Sequence, residues 1–203
     1  MTMKLNCDLG ESFGMWKMGL DEQVMPHIDM ANIACGFHAG DADVMANTLA
    51  LAKQHKVMVG AHPSYPDKQG FGRRSMAMSE KELTNCLHYQ IAAIDGMAEV
   101  HGLTVEYVKP HGALYNDMMS DEQTLNIVMR AVASYAKPLK LMILATNQAA
   151  KHKVQAKELE LELILEAFAD RQYTDEGKLV ARSLAGSVHD KPALMAQVKQ
   201  LVA

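Results

Sequence analysis

Residues 32–41 read Asn-Ile-Ala-Cys-Gly-Phe-His-Ala-Gly-Asp, and the predicted fold is built outward from this pattern. A short apolar run, typical of a buried strand, ends in a glycine, a histidine, a second glycine and an acid, and a helical pattern follows. We therefore expect a strand over 31–35 that delivers His38 into a loop. A helix over 42–56 should follow, with Asp41 as its N-cap.

The same order, an apolar run and then polar groups, occurs three more times along the chain. The polar groups that follow these runs are His62, then Lys109 with His111, and, near the start of the chain, Asp8 with Glu11. Because the carboxyl ends of parallel strands meet at one edge of a sheet or barrel, we expect all of these side chains to lie close together.

Strands and helices alternate along the rest of the chain. Apolar runs predict one strand at the start of the chain, further strands over 57–61, 105–108, 140–145 and 161–168, and a short extra strand over 179–182. Helical patterns cover 21–30, 79–102, 148–157 and a last stretch from Pro192. The helix over 79–102 begins with a capping box of Ser79 and Glu82, and a further helix begins with a second box of Ser120 and Gln123.

Strands separated by helices predict an α/β fold with a parallel sheet and helical crossovers. Polar groups follow the first, second, third, fourth and sixth strands. An open sheet would concentrate its ligands at one switch point, so this spread favours a (β/α) barrel. Domains commonly span about 100–200 residues, so a chain of 203 residues predicts a single domain over 1–203.

Composition excludes several classes of protein. Hydrophobic residues make up 49% of the chain and charged residues 22%, and the net charge is −4. Neither a basic surface for nucleic acid nor an apolar run long enough to span a membrane is present. Polar Asn6 and Asp8 come too early for a secretory signal, so we expect a cytoplasmic protein. Three cysteines without a C-x-x-C pair indicate neither a disulfide framework nor a cysteine zinc site.

Histidines at three equivalent strand ends are the strongest sign of chemistry. Any one of them alone could equally be a loop histidine satisfied by hydrogen bonds, but three together favour a site. Imidazole can act as acid, base or metal ligand near neutral pH. Asp8, His38, His62 and His111 are therefore candidate catalytic residues and candidate metal ligands. Without an H-x-x-x-H spacing to force two of them onto one face, the sequence leaves the metal open.

Other charged residues have two readings each. Glu11 is a site carboxylate or a solvated loop acid, and Asp41 is a site acid or only a helix cap. Lys109 is a surface lysine or a catalytic-site group that binds an anionic part of the substrate or stabilises developing negative charge. Four arginines could bind carboxylate or phosphate: Arg73, Arg74, Arg171 and Arg182. The chain has no phosphate-loop motif, so if ATP is used, another chain is expected to supply most of its binding site.

Seven motifs, taken together and in order, carry a resemblance to a known family. They cover 6–11, 32–41, 60–67, 70–73, 109–116, 166–171 and 179–183. The sequence from 4 to 190 resembles the LamB/YcsF family. The resemblance implies a distorted seven-stranded (β/α) barrel of the polysaccharide deacetylase type. It also implies an ATP-dependent 5-oxoprolinase that opens 5-oxoproline to L-glutamate with partner subunits B and C.

The resemblance also suggests which side chains bind the substrate. These are Glu11, Asn32, Asp41, Arg73, Tyr115, Glu166 and Arg182. Members of the family usually continue beyond the position of residue 203 with a further strand and helix, so we expect a barrel without them. Two other readings stay open: a stand-alone metal-dependent amide hydrolase or deacetylase, and a non-catalytic substrate-binding subunit. A homo-oligomer is compatible with all three.

Overall fold

The computed structural model describes residues 3–175, 177–180, 182 and 184–202. Within them the chain forms six strands: β1 (Asn6–Leu9), β2 (Met30–Ala34), β3 (Met58–His62), β4 (Val105–Val108), β5 (Lys140–Leu144) and β6 (Leu163–Glu166). All are parallel and pair in sequence order from β1 to β6. The predicted parallel α/β fold is confirmed, as a curled sheet that forms a half-barrel.

Seven α-helices lie among the described residues: α1 (Asp21–Val24), α2 (Ala42–His55), α3 (Glu80–Val100), α4 (Gly112–Ser120), α5 (Glu122–Ala133), α6 (Ala149–Glu158) and α7 (Lys191–Leu201). The capping box of Ser79 and Glu82 is present at the start of α3. The second predicted box is wrong, because Asp121 rather than Ser120 caps α5 and accepts from the Thr124 amide. None of these helices is both long and apolar enough to cross a membrane.

Side chains alternate between the two faces of the curled sheet, as they must in any strand. The outer face packs against the helices and forms the main apolar core, which includes Ile33, Leu49, Leu87 and Leu141. The inner face holds a smaller apolar cluster that includes Met30, Tyr107 and Met142. The same alternation places the polar residues at the carboxyl ends of the strands next to this inner cluster. We call the opening of the half-barrel at these strand ends the mouth.

Among the described residues after β6, the chain forms isolated bridges and helix α7 but no further strand. Isolated antiparallel bridges join Arg171 to Val188 and Tyr173 to Leu179. The predicted strand over 179–182 is therefore reduced, within the described part of the chain, to the bridge at Leu179, and residue 181 lies outside the described residues. The predicted helix over 21–30 is also shorter, because α1 gives way to a single 3-10 turn over Met25–His27, which contains Pro26.

Candidate active site

Five strand ends bring polar side chains to the mouth of the half-barrel. Asn6 and Asp8 project from β1 and Glu166 from β6, although these are the two edge strands of the sheet. The Asn6 side-chain amide nevertheless donates to Glu166 at 3.3 Å. The sheet therefore curls far enough for side chains of its two edge strands to form a hydrogen bond.

A first set of residues surrounds the ammonium of Lys109, and we call it the lysine group: Asn6, Asp8, Asn32, Lys109 and Glu166. Lys109 Nζ lies 3.1 Å from Asn6 Oδ1, 3.1 Å from Asp8 Oδ1 and 3.0 Å from Glu166 Oε2. An ammonium has three N–H donors, and all three are used here. In this structure Lys109 therefore has no donor left for a substrate, and it fixes two carboxylates instead.

A row of residues across the sheet supports the lysine group from one side. Asn32, Gly60 and Tyr107 pair in register on β2, β3 and β4. The Tyr107 hydroxyl crosses over Gly60 and donates to Asn32 Oδ1 at 2.6 Å. Asn32 Nδ2 then donates to Asp8 Oδ1 at 2.8 Å and to Asn6 Oδ1 at 2.7 Å. Asn32, predicted to bind substrate, is fully buried and holds the site together.

A second set, the histidine group, consists of Glu11, His38, His62 and His111. Glu11 Oε1 lies 3.1 Å from His38 Nε2 and 3.4 Å from His111 Nδ1. The rings of His38 and His111 stack at 3.7 Å, and His62 stands edge-on to both. The three imidazoles predicted to converge do so. Asp8 links the two groups, with its Oδ2 3.4 Å from His62 Nε2.

Two backbone carbonyls fix protons on the outer nitrogens of His62 and His111. His62 Nδ1 donates to the Lys109 carbonyl at 2.6 Å, and His111 Nε2 donates to the Phe71 carbonyl at 2.9 Å. A carbonyl can only accept, so both outer nitrogens carry a proton. The inner nitrogens face each other at 2.9 Å. Two arrangements allow this contact. Either one inner nitrogen carries a proton and donates it to the other, or both are unprotonated and direct their lone pairs at a cation.

Burial and neighbouring charges shift the pKa values of both groups. Burial holds the pKa of His38 well below its usual range and lowers that of His111 to about 2, so both rings are neutral at neutral pH. Burial also opposes the charged form of His62, but the Asp8 carboxylate outweighs it and the pKa of His62 is raised. In turn His62 and Lys109 overcome the burial of Asp8 and keep its pKa well below its usual range.

The histidine group has the donor set of a divalent metal site. One ligand atom from each of Glu11, His38, His62 and His111 can be chosen so that all four lie within 4.8 Å of one another. Imidazole and carboxylate are zinc ligands, and outer N–H groups held by carbonyls are typical of metal-bound histidines. Asp8, the acid predicted as a ligand, lies beside this set and is bound by Lys109 and Asn32. Glu11 is the carboxylate of the set whose ligand atoms converge.

The other predicted site residues lie around these two groups. Asp41 caps α2 through the Val44 amide at 2.9 Å and also accepts from the Gly14 amide at 2.7 Å, so the cap reading is confirmed. Tyr115 is buried in α4, edge-on to Phe168. Arg73 is exposed, with its guanidinium 5.0 Å from the centre of the Phe71 ring. Arg182 is exposed on the segment after β6.

Three parts of the site were not among the predicted residues. Asn6 precedes Asp8 by two positions and Tyr107 precedes Lys109 by two, so the period of a strand could have placed both on the inner face. The Phe71 carbonyl carries no such signal. Phe71 and Gly72 have φ values of 54° and 64°, and backbone in this left-handed region is hard to predict at a residue other than glycine.

With this geometry in place, comparisons with known proteins identify the family. The model of the LamB/YcsF family matches residues 3–203. The chain belongs to the LamB/YcsF family. A solved structure, the lactam utilization protein from Thermus thermophilus, superposes with a TM-score of 0.88 at 39% identity, over 97% of this chain and 78% of that one. The fold of this LamB/YcsF chain is therefore shared with a crystal structure.

Curated relatives of this LamB/YcsF chain carry a common name, that of the A subunit of 5-oxoprolinase. One such protein, from Pseudomonas putida, is 57% identical over 93% of this chain and 73% of its own length. Proteins of the same name are 54% identical in Chromohalobacter salexigens and 52% identical in Vibrio cholerae. Those matches cover 97% and 98% of this chain, and 79% and 81% of the relatives.

Proposed function

We propose that this chain is a subunit of a 5-oxoprolinase, which hydrolyses the cyclic amide 5-oxoproline to L-glutamate. The observation that carries the proposal is the identity of 52–57% to proteins named as the A subunit of that enzyme, over nearly the whole chain. The mouth supports it, because acids, imidazoles and a lysine gather at the end of the strands where (β/α) enzymes carry their active sites.

The finer features of the family belong to the same proposal. We infer that ATP is used in the cytoplasm, that partner subunits B and C supply most of its binding site, and that they phosphorylate the lactam carbonyl oxygen. This transfer releases ADP. Water then adds to the activated carbon, the ring carbon–nitrogen bond breaks, and the nitrogen takes up a proton. A second water releases phosphate and leaves the side-chain carboxylate of glutamate. A seventh strand between β6 and β1, as in a deacetylase-type barrel, would close the sheet.

Asp8 is the group best placed to orient the attacking water. Its side chain is 38% exposed, whereas those of His38, His62 and His111 are 0%, 1% and 7% exposed. Hydrogen bonds from Lys109 and Asn32 hold Oδ1 and leave Oδ2 beside His62. Because Asp8 is kept ionised, it accepts a hydrogen bond from water at any pH at which the protein works. Lys109 acts by positioning this carboxylate.

The histidine group would hold a divalent cation in the same reaction. Glu11, His38, His62 and His111 provide the ligand atoms, and the Lys109 and Phe71 carbonyls fix two of the rings in the right tautomer. Such a cation, when bound, acts as a Lewis acid on an amide carbonyl. The same donor set favours a second candidate function, a stand-alone metal-dependent amide hydrolase or deacetylase.

Reconstitution tests the proposed function. The purified chain is mixed with candidate B and C subunits from the same genome, 5-oxoproline and ATP, and glutamate is measured. Glutamate that requires the chain, the partners and ATP supports the proposal. Amide hydrolysis by the chain with metal alone, without ATP or partners, would favour the second candidate. A non-catalytic binding subunit would instead keep full activity in the complex when the mouth histidines are replaced.

A further inference from the structure

Arg171 is a buried arginine held by the backbone rather than by an acid. It is 7% exposed, and its guanidinium donates to the Ser187 carbonyl through Nε at 3.2 Å and to the Val180 carbonyl through Nη2 at 2.6 Å. No carboxylate of the described residues lies within salt-bridge distance of it, and its Nη1 has no hydrogen-bond partner among them. Nη1 is not among the buried atoms that lack a partner, so it is the part of the guanidinium that solvent or an anion can reach.

Arg73 and Arg182 add positive charge near Arg171, at the edge of the mouth, which we call the rim. Burial lowers the pKa of Arg171, and the charges of Arg182 and Arg73 lower it further, while Asp170 offsets part of the effect. Hydrogen bonds also place Arg171 and Arg182 side by side, because the Ser187 carbonyl accepts from Arg171 and the Ser187 hydroxyl donates to the Arg182 carbonyl at 3.2 Å. Arg73 and Arg182 also lack a salt-bridge partner within the described ranges, in contrast to Arg74, which pairs with Asp67.

The position of Arg73 connects this rim to the histidine group. Its guanidinium lies over the ring of Phe71, and that ring is edge-on to His38 and His111 at 5.4 and 5.0 Å. On the other side, the segment that carries Arg171 leaves β6 past Phe168, whose ring lies 5.1 Å from Lys109 Nζ. The arginines thus lie next to the candidate active site, on the loops after β3 and β6.

We propose that Arg73, Arg171 and Arg182 form an oxyanion-binding subsite at the rim of the mouth, with Arg171 as its fixed anchor. The ligand is a carboxylate or phosphoryl group of the substrate, because guanidinium forks match both in a bidentate manner. This inference rests on the proposed function, in which both a carboxylate and a phosphoryl group reach the mouth. Lys109, with every donor used, cannot fill this role in the structure.

Binding to the full chain, without ATP or partner subunits, tests the subsite. Inorganic phosphate and 5-oxoproline are titrated separately into the unsubstituted chain and into Arg73→Ala, Arg182→Ala and Arg171→Lys by calorimetry. We expect each variant to weaken at least one of the two ligands by about tenfold or more, since charge-assisted hydrogen bonds are lost. Arg73 and Arg182 are exposed, so these two variants keep the fold even if Arg171→Lys does not.

Arg74→Ala is the matched control, because Arg74 lies beside Arg73 and its charge is already paired with Asp67. It should bind both ligands as the unsubstituted chain does. Weakened phosphate binding identifies a phosphoryl subsite, and weakened 5-oxoproline binding alone identifies a carboxylate subsite. Unchanged binding of both ligands in Arg73→Ala and Arg182→Ala overturns the subsite. Glutamate formation by the reconstituted complex is scored separately, so either proposal can fail while the other stands.

Discussion

The lysine group and the histidine group share one mouth but differ in how their charges are compensated. Every donor of Lys109 is used, and two carboxylates surround its single positive charge. In the histidine group, by contrast, two inner nitrogens face each other, and His38 Nδ1 is buried with no hydrogen-bond partner among the described residues. Neighbouring clusters on one sheet edge can therefore have different tasks.

The difference follows from what surrounds each group. Side-chain amides of Asn6 and Asn32 donate to acceptors of the lysine group and fix the position of Asp8. Within the described residues, Glu166 Oε1 is the buried atom of this group that has no hydrogen-bond partner. Backbone carbonyls take the outer protons of His62 and His111, which leaves the inner lone pairs available to a cation or a proton. Under the proposed function, the first group holds Asp8 in place and the second supplies the ligand atoms for a cation.

Lys109→Met should have the largest effect on stability, since it leaves Asp8 and Glu166 without their shared counter-charge. Removing one partner of a buried ion pair costs about 3–5 kcal/mol in the free energy of unfolding, measured by denaturant titration. Lys140→Met is the control, because its pair with Glu162 is largely exposed and should contribute less than about 1 kcal/mol. Equal losses in the two variants would show that Lys109 is not the shared counter-charge of two carboxylates.

Metal binding should be the next largest difference, because zinc should bind to the histidine group and not to the lysine group. We expect the chain to bind one zinc ion, and His111→Ala to bind it about 100-fold more weakly, because a ligand and the fixed tautomer are lost together. Metal content after dialysis and calorimetric titration measure this. His88→Ala, on α3 and outside the mouth, should bind zinc as the unsubstituted chain does. Equal zinc affinity in His111→Ala would show that the histidine group is not the metal site.

Gly60→Ala tests how the Tyr107 side chain supports the lysine group. A Cβ at Gly60 would overlap the Tyr107 ring, whose hydroxyl holds Asn32 in place. Overpacking of this kind costs about 1–3 kcal/mol. Gly96→Ala, in the middle of α3 with nothing within 4 Å, should instead stabilise the fold by about 0.5–1 kcal/mol. Thermal or denaturant unfolding that shows the same sign for both would contradict this account.

The smallest effect concerns the loop that carries the Phe71 carbonyl to His111. Arg74 and the Gly70 amide lower the pKa of Asp67 to about 2. Because the folded pKa lies below the unfolded one, Asp67 stabilises the fold above about pH 4, and this contribution is lost as pH falls towards 2. The difference in denaturant midpoint between the chain and Asp67→Asn should therefore shrink between pH 4 and 2. A difference that does not change with pH would refute it.

Much of the fold could be predicted because strands and their polar ends repeat along the chain. All six strands and the convergence of His38, His62 and His111 followed from that repeat. Helix α4 did not, since it begins at Gly112, a poor helix former, and has no side-chain cap. Tertiary packing supports it instead, by burying Ala113, Leu114 and Met118 on one face.

The contacts between residues in the mouth were harder to predict than the identity of the residues that lie there. Asp8 and Glu11 lie three residues apart, and Gly10 between them has a φ of 71°. Backbone of that kind sends the two acids in directions that no helical or strand period describes. The sequence therefore identified both acids but assigned the metal-ligand role to Asp8. Nor could it show that Lys109 would use every donor inside the chain, because that depends on β1 and β6 approaching each other.

The central claim is that lactam opening requires the histidine group. Its most direct test is the rate of glutamate release from 5-oxoproline and ATP by the reconstituted complex carrying His111→Ala. His152→Ala, a buried histidine on α6 outside the mouth, is the matched control. We predict a loss of at least about 100-fold for His111→Ala, in a chain that still folds, and a normal rate for His152→Ala. A near-normal rate for His111→Ala would contradict the claim.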